Sequence, residues 1–152
     1  MSSPRLLIGR ESKPGEFYVV TSVLHRRATL FLDPALAHLA ADALHSGAAE
    51  SFAWVVMPDH VHWLLQVGAT PLSRCVQAFK SRAARAIDAT RGTSGPVWQA
   101  GFYDHRLRDE EDLHVHARYI IANPLRRGLV AKIGDYPYWW CRWISCGDDL
   151  GT

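Results

Sequence analysis

The sequence predicts an α+β fold, an antiparallel or mixed sheet with helices packed mainly on one face. Three observations predict it. Strand-like and helix-like segments follow one another in the order β-α-β-β-α-β-α, an alternation that layers helices on a sheet. The 152 residues suit one domain with one core. An apolar share of 48% against 21% charged is a globular balance and excludes a disordered chain. No internal repeat, linker or low-complexity tract divides the sequence. Residues 1–15 read as a loose lead-in and 144–152 as a short tail, which leaves a core over about 16–143.

Residues 17–24, FYVVTSVL, are rich in β-branched and aromatic side chains and are expected to form the first strand. Asp33-Pro34 then opens a helix, with Asp as cap and Pro at the first helical position. Its apolar stripe is Leu36, Leu39, Ala40, Ala43 and Leu44, and Gly47 ends it. FAWVVM (52–57) and HVHWLLQV (60–67) read as two strands joined through Pro58-Asp59. Thr70-Pro71 opens a second helix with Leu72, Cys75, Val76, Phe79, Ala83, Ala86 and Ile87 on one face. Residues 91–96 form a loop, and 97–107 look extended throughout. Asp109 is the expected cap of a third helix that runs to about Asn123, where Pro124 discourages continuation. The aromatic segment DYPYWWCRW (135–143) is expected to lie against the domain. The order matches an α+β sandwich of the ferredoxin-like kind.

Gross charge says little about partners, because the net charge is only +2. Its composition says more. Lysine occurs only at 13, 80 and 132, so arginine supplies most of the positive charge, and its planar fork suits phosphate. Three cysteines without a C-x-x-C pair, and a start without an apolar signal core, point to a reducing compartment, the cytoplasm. No stretch of ~18 apolar residues exists to span a membrane.

The chemistry concentrates in two places. In His60-Val61-His62 the two imidazoles leave the same face of a strand and can share a metal ion. A bare H-x-H pair is also what a partly exposed strand shows without any function. On the third helix, His116, Tyr119 and Asn123 fall within a narrow arc beside the core stripe of Leu113, Ala117 and Ile120. A tyrosine there is also what bridges a core and solvent. Joined, the two places suit attack of a phenol on a phosphodiester beside a divalent ion. Two imidazoles leave such an ion short of ligands, and Asn123, Gln66 or His116 can supply a third. Two nitrogens with an amide oxygen suit Mg²⁺ or Mn²⁺. Arg26, Arg27, Arg85, Arg106, Arg126 and Lys80 are the expected phosphate contacts, although solvated charge is the plainer reading of any one arginine. Trp98, Phe102 and Tyr103 either stack unpaired bases or belong to the core.

Three segments, MPDHVHWLL (57–65), VWQAGFYDHRLRDEEDL (97–113) and ARYIIANPLRRGLV (117–130), resemble the REP-associated tyrosine transposases (RAYTs) of the single-tyrosine HUH transposase superfamily. The resemblance implies the HUH nuclease variant of the ferredoxin-like sheet. It implies a single-stranded DNA substrate that carries palindromic, REP-like hairpin repeats, cleaved through a covalent 5′-phosphotyrosine by a monomer or homodimer. His60 and His62 match the metal ligands and Tyr119 the nucleophile. Asn123 falls where relatives place a polar third ligand, often glutamine, and Lys80 where they carry a basic residue. Tyr103 of the FYDH segment is not expected to be the nucleophile. The competing readings are a non-catalytic single-stranded nucleic-acid-binding module and a domesticated transposase with a host role. A zinc hydrolase of the barrel type would need ~250 residues.

Overall fold

The computed structural model describes residues 12–108 and 112–144. Five strands form one antiparallel sheet in the order β4-β1-β3-β2-β5. They are β1 (Phe17–Val23), β2 (Glu50–Met57), β3 (His60–Gln66), β4 (Tyr103–Leu107) and β5 (Trp139–Cys141). The helices are α1 (Pro34–Ala43), α2 (Leu72–Arg91), α3 (Asp112–Ile121) and the short α4 (Asn123–Arg126). The first four strands with α1 and α2 make the ferredoxin-like β-α-β-β-α-β unit.

Strand alternation sorts the sheet into two faces. Tyr18, Val20, Trp54, Val56, Val61, Trp63 and Leu65 form one core with the apolar stripes of α1 and α2. Phe52, Ala53, Val55, Met57, Leu64 and Leu107 form a second core with Leu113, Ala117, Ile120 and Ile121 of α3. The expectation is helices mainly on one face: α1 and α2 share one face, while α3 covers the other. A register shift between Ser51 and Ala53 lets Phe52 and Ala53 both reach the α3 core.

Local chemistry sets the helix ends. The Asp33 side chain accepts from the Ala35 N–H at 3.0 Å, with Pro34 in the first turn. Gly92, at φ 66°, closes α2 in the left-handed conformation. Asp109, the expected cap of α3, lies outside the described residues. The helix expected to end at about Asn123 instead breaks at Ala122 (φ −82°, ψ −2°), and Pro124 sits in the first turn of α4. Proline here starts a helix as well as ending one, because a first turn needs no proline N–H.

Two expectations are corrected. Of residues 97–107, only Tyr103–Leu107 are strand. Residues before it form a loop held to the end of β1 by the Gln99 N–H on Val23 O at 2.8 Å and to the turn that follows β1 by the His25 N–H on Val97 O at 2.9 Å. The aromatic segment does more than lie on the domain: Trp139–Cys141 pair with β2 as an edge strand. Tyr136 Oη donates to Val56 O at 2.6 Å and secures the approach. Among the described residues, no helix is long and apolar enough to cross a membrane.

Candidate active site

The β2–β3 hairpin turns through Pro58-Asp59, with Met57 paired to His60. That register sends His60, His62 and Leu64 to the α3 face and Val61, Trp63 and Leu65 to the opposite core. His60 is buried and His62 partly exposed. Their Nε2 atoms face one another at 3.1 Å, and the rings stand nearly perpendicular, centroids 4.7 Å apart.

The other nitrogen of each ring is also engaged. His60 Nδ1 donates to Asp59 Oδ1 at 2.6 Å. His62 Nδ1 and Thr21 Oγ1 share a hydrogen bond of 2.9 Å, because the β1–β3 register sets Thr21 directly opposite His62. Arg27 Nη1 donates to the second oxygen of Asp59 at 3.1 Å. Arg27 reaches it through an unusual turn in which Arg26 (φ 55°) and Arg27 (φ 51°) are both left-handed. The Leu24 N–H on Asp59 O at 2.9 Å ties that turn to the hairpin. Neither Asp59 nor Thr21 was marked by the sequence reading. Asp59 stands next to His60 in the chain, whereas Thr21 becomes visible only through strand register.

The electrostatics keep both rings neutral. Burial pushes His60 below the ordinary imidazole range against the pull of Asp59. Burial, then the charges of His60, Arg126 and Arg127, lower His62 to about 3. For Asp59, burial alone would raise the carboxyl, but the His60 hydrogen bond and Arg27 together hold it below its usual value. Neutral imidazole is the form that binds metal.

Arg126 and Arg127 act on His62 because α4 comes down beside the histidines. Asn123, the first residue of α4, is 8% exposed, and among the described residues its amide has no hydrogen-bond partner. Tyr119 lies one turn earlier, on α3, and is 63% exposed. Its ring lies under Arg126, whose Cζ is 3.6 Å from the centroid. Arg126 Nη2 donates to the Tyr119 carbonyl at 2.7 Å. His116 faces His105 of β4 at 5.6 Å between ring centroids, so this alternative third donor already has a neighbour away from the pair. Gln66 is turned to the far end of β3, where its Nε2 donates to Gly15 O at 3.1 Å.

The donor set fits a small divalent ion. Ligands at about 2.1 Å that subtend a right angle at the ion stand about 3.0 Å apart, close to the observed 3.1 Å. Asn123 begins α4, which packs with α3 and β2, and its amide oxygen is a hard donor type. Among the described residues, no group of three or more His, Cys, Asp and Glu side chains that could hold a metal ion gathers at one point.

The expected phosphate contacts separate in space. Arg26 and Arg85 are exposed. Arg27 is exposed over most of its side chain and bound to Asp59. Arg106 is paired with Glu16 at 2.8 Å, and Arg126 is folded over Tyr119. Lys80 is half-buried, and its Nζ donates to Gln99 O at 2.8 Å and Gly101 O at 2.6 Å. Trp98 and Phe102 are core residues. Tyr103 is partly exposed and stands beside Thr21 in the same row of the sheet as His62.

A family model described as "Transposase IS200 like" matches residues 16–123. A REP-associated tyrosine transposase of Escherichia coli K12 is 28% identical over 130 residues, which cover 83% of this chain and 76% of that protein. A Haemophilus influenzae protein provisionally given the same name is 28% identical over 100 residues, 59% of this chain and 57% of that protein. The solved structure of a REP-associated tyrosine transposase bound to a REP hairpin superimposes with a TM-score of 0.69 at 24% identity, covering 89% of this chain and 81% of the other.

Proposed function

The chain belongs to the IS200-like transposase family, and from that premise we propose that it cuts and rejoins single-stranded DNA at the foot of hairpin repeats. In this reading Tyr119 is the nucleophile, and His60, His62 and Asn123 hold Mg²⁺ or Mn²⁺. The supporting observation is the pair of Nε2 atoms 3.1 Å apart on the sheet face that α3 and α4 cover. The hairpin substrate is carried over from the relative solved with a REP hairpin.

The residues divide the work. The ion, when bound, polarises a phosphoryl oxygen and offsets charge that develops there. Tyr119, exposed and without a hydrogen bond on its hydroxyl among the described residues, is open to an incoming strand. Its oxygen attacks phosphorus and loses its proton. The P–O3′ bond breaks, the 3′ oxygen takes up a proton, and the 5′ phosphate stays on the tyrosine. The reverse attack by a 3′ hydroxyl restores a phosphodiester without ATP, because one ester bond replaces another. In this reading Tyr103 stacks a base beside Thr21, and exposed Arg26 and Arg85 meet phosphates.

The test is a denaturing gel of the protein incubated with Mn²⁺ and end-labelled DNA hairpins bearing single-stranded feet. A protein-sized shift that Tyr119→Phe abolishes is the expected result. Binding of the same hairpins by the wild-type protein without any adduct or cut would leave a nucleic-acid-binding module instead.

A further inference from the structure

A groove of about 470 Å³ runs between α2 and the loop that leads into β4, a volume in the range of small-ligand sites. Its floor is apolar, formed by Val76 of α2 with Val97, Trp98 and Phe102, all buried. Its rim is polar. Gln77, Lys80 and Ser81 line the α2 wall and Gln99 the loop wall. Gln77 is exposed, and Lys80, Ser81 and Gln99 are partly exposed. Among the described residues that line the groove, none is acidic and Lys80 is the one cation. An ammonium has three N–H groups, and the carbonyls of Gln99 and Gly101 take two of those on Lys80. A free phosphate would therefore meet one charged donor above an apolar floor. A flat, neutral ring with donors and acceptors along its edge matches both the floor and the rim.

The loop wall connects the groove to the candidate active site. The Gln99 N–H on Val23 O at 2.8 Å fixes it to the end of β1, and Val23 pairs with His60. Phe102 belongs to the core under α2. Tyr103, the next residue, pairs with Thr21 in the row of His62, on the opposite face. β4 is an edge strand, so the two faces meet at this point without further sheet between them. Arg74 and Arg85, both exposed, adjoin Ser73 and Ala84, the outermost α2 residues of the groove.

We infer that this groove is a specificity pocket for the base of one unpaired purine nucleotide in the foot of the hairpin. A side-chain amide, as on Gln77 or Gln99, pairs with the N6–N7 edge of adenine, and a lysine N–H with N7 or O6 of guanine; pyrimidines have no N7. The strand passes Tyr103, rounds the β4 edge and inserts the base, with Arg74 and Arg85 meeting the phosphates on either side. The inference rests on the reading of hairpin DNA as the substrate, and it adds a base-reading site on the face of the sheet away from Tyr119.

The experiment is done in EDTA, so that neither metal nor cleavage enters. Hairpins with one fixed stem and short feet of random sequence are bound to the full chain, and the retained DNA is sequenced. The wild type should favour purine over pyrimidine by about tenfold at one foot position. Gln77→Leu keeps the bulk of the side chain without its hydrogen bonds, and Ser81→Trp fills the groove. Both should flatten the preference at that position and leave preferences elsewhere in place. Gln77 is exposed, so Gln77→Leu should also keep the wild-type melting temperature. A purine preference that survives both substitutions, or hairpin binding with no preference at any position, would overturn the pocket and leave the hairpin reading standing. Absence of hairpin binding by the wild-type protein would overturn that reading and the pocket with it.

Discussion

Arg126 grips Tyr119 twice, with its guanidinium 3.6 Å from the ring centroid and its Nη2 on the residue's own carbonyl at 2.7 Å. The carbonyl is free to accept because α3 ends two residues later. An arginine expected to meet phosphate therefore also sets the attitude of the proposed nucleophile. Arg126→Ala is expected to cost less than about 1 kcal/mol of stability, as exposed cation–π contacts do. It should slow adduct formation on the order of tenfold to a hundredfold, since misplacement of a reacting group is expensive. Arg126→Lys, which keeps charge but loses the flat stack, should recover DNA affinity better than rate. Single-turnover cleavage beside hairpin binding separates the two effects, and equal losses in both would count against the orienting role.

His60→Ala and His62→Ala should each remove metal-dependent cleavage and leave hairpin binding largely in place. The strand hydrogen bonds of β3 do not depend on either ring, so the circular dichroism of both variants should remain native, with His60→Ala the less stable because His60 is buried. Nicking that survives either change in the presence of Mn²⁺ would contradict the assignment.

Lys80 and Arg85 lie on the same helix and should behave differently. The Lys80 ammonium satisfies two loop carbonyls, and the Lys80 carbonyl accepts from Trp98 Nε1 at 3.0 Å. Lys80→Met should lower stability by about 2 kcal/mol, because hydrogen bonds to a charged group are lost and two carbonyls are left short. Exposed Arg85 has no such duty. Arg85→Ala should leave the melting temperature unchanged but lower DNA affinity and reduce the salt slope by about one phosphate contact. A Lys80→Met protein as stable as wild type would show that the loop does not depend on it.

Glu16 is a titratable fastener of the sheet edge. Its carboxylate accepts from the Lys13 N–H at 2.7 Å, Tyr18 Oη at 2.8 Å and Arg106 Nη1 at 2.8 Å. The Lys13 N–H foremost, with Arg106 and Tyr18 helping against burial, lowers its carboxyl from the ordinary 4.5 to about 2. A carboxyl lowered on folding contributes stability that is complete above pH 4.5 and fades as pH falls toward about 2. Glu16→Gln should therefore be less stable than wild type at pH 7, by about 1 kcal/mol after solvent screening of the exposed Arg106 partner. That gap should close as pH approaches 2. Urea melts at pH 7 and pH 2.5 check this, and a gap that widens in acid would refute it.

The sequence-level reading succeeded where one residue's neighbours along the chain decide its environment. Spacing of two along a strand put His60 and His62 on one face, and spacing of three and four along a helix separated Leu113, Ala117 and Ile120 from Tyr119. It fell short where partners come from elsewhere in the fold. Trp98 and Phe102 carry the same flat rings as a base-stacking surface, and only the α2 core around them makes them structural. Trp139–Cys141 have too few residues to announce a strand, and pairing to the β2 edge makes them one.

Chain-local periodicity and residue chemistry were enough to determine the α+β class and the shared direction of the two imidazoles, because side-chain direction repeats every two residues in a strand and every 3.6 in a helix. The tertiary structure alone decided that Thr21 faces His62, that Arg27 reaches Asp59, and that Arg126 covers Tyr119. Those relations depend on strand register and on the turn that carries one element back over another, and contacts of that kind join residues whose separation along the chain carries no repeating signal.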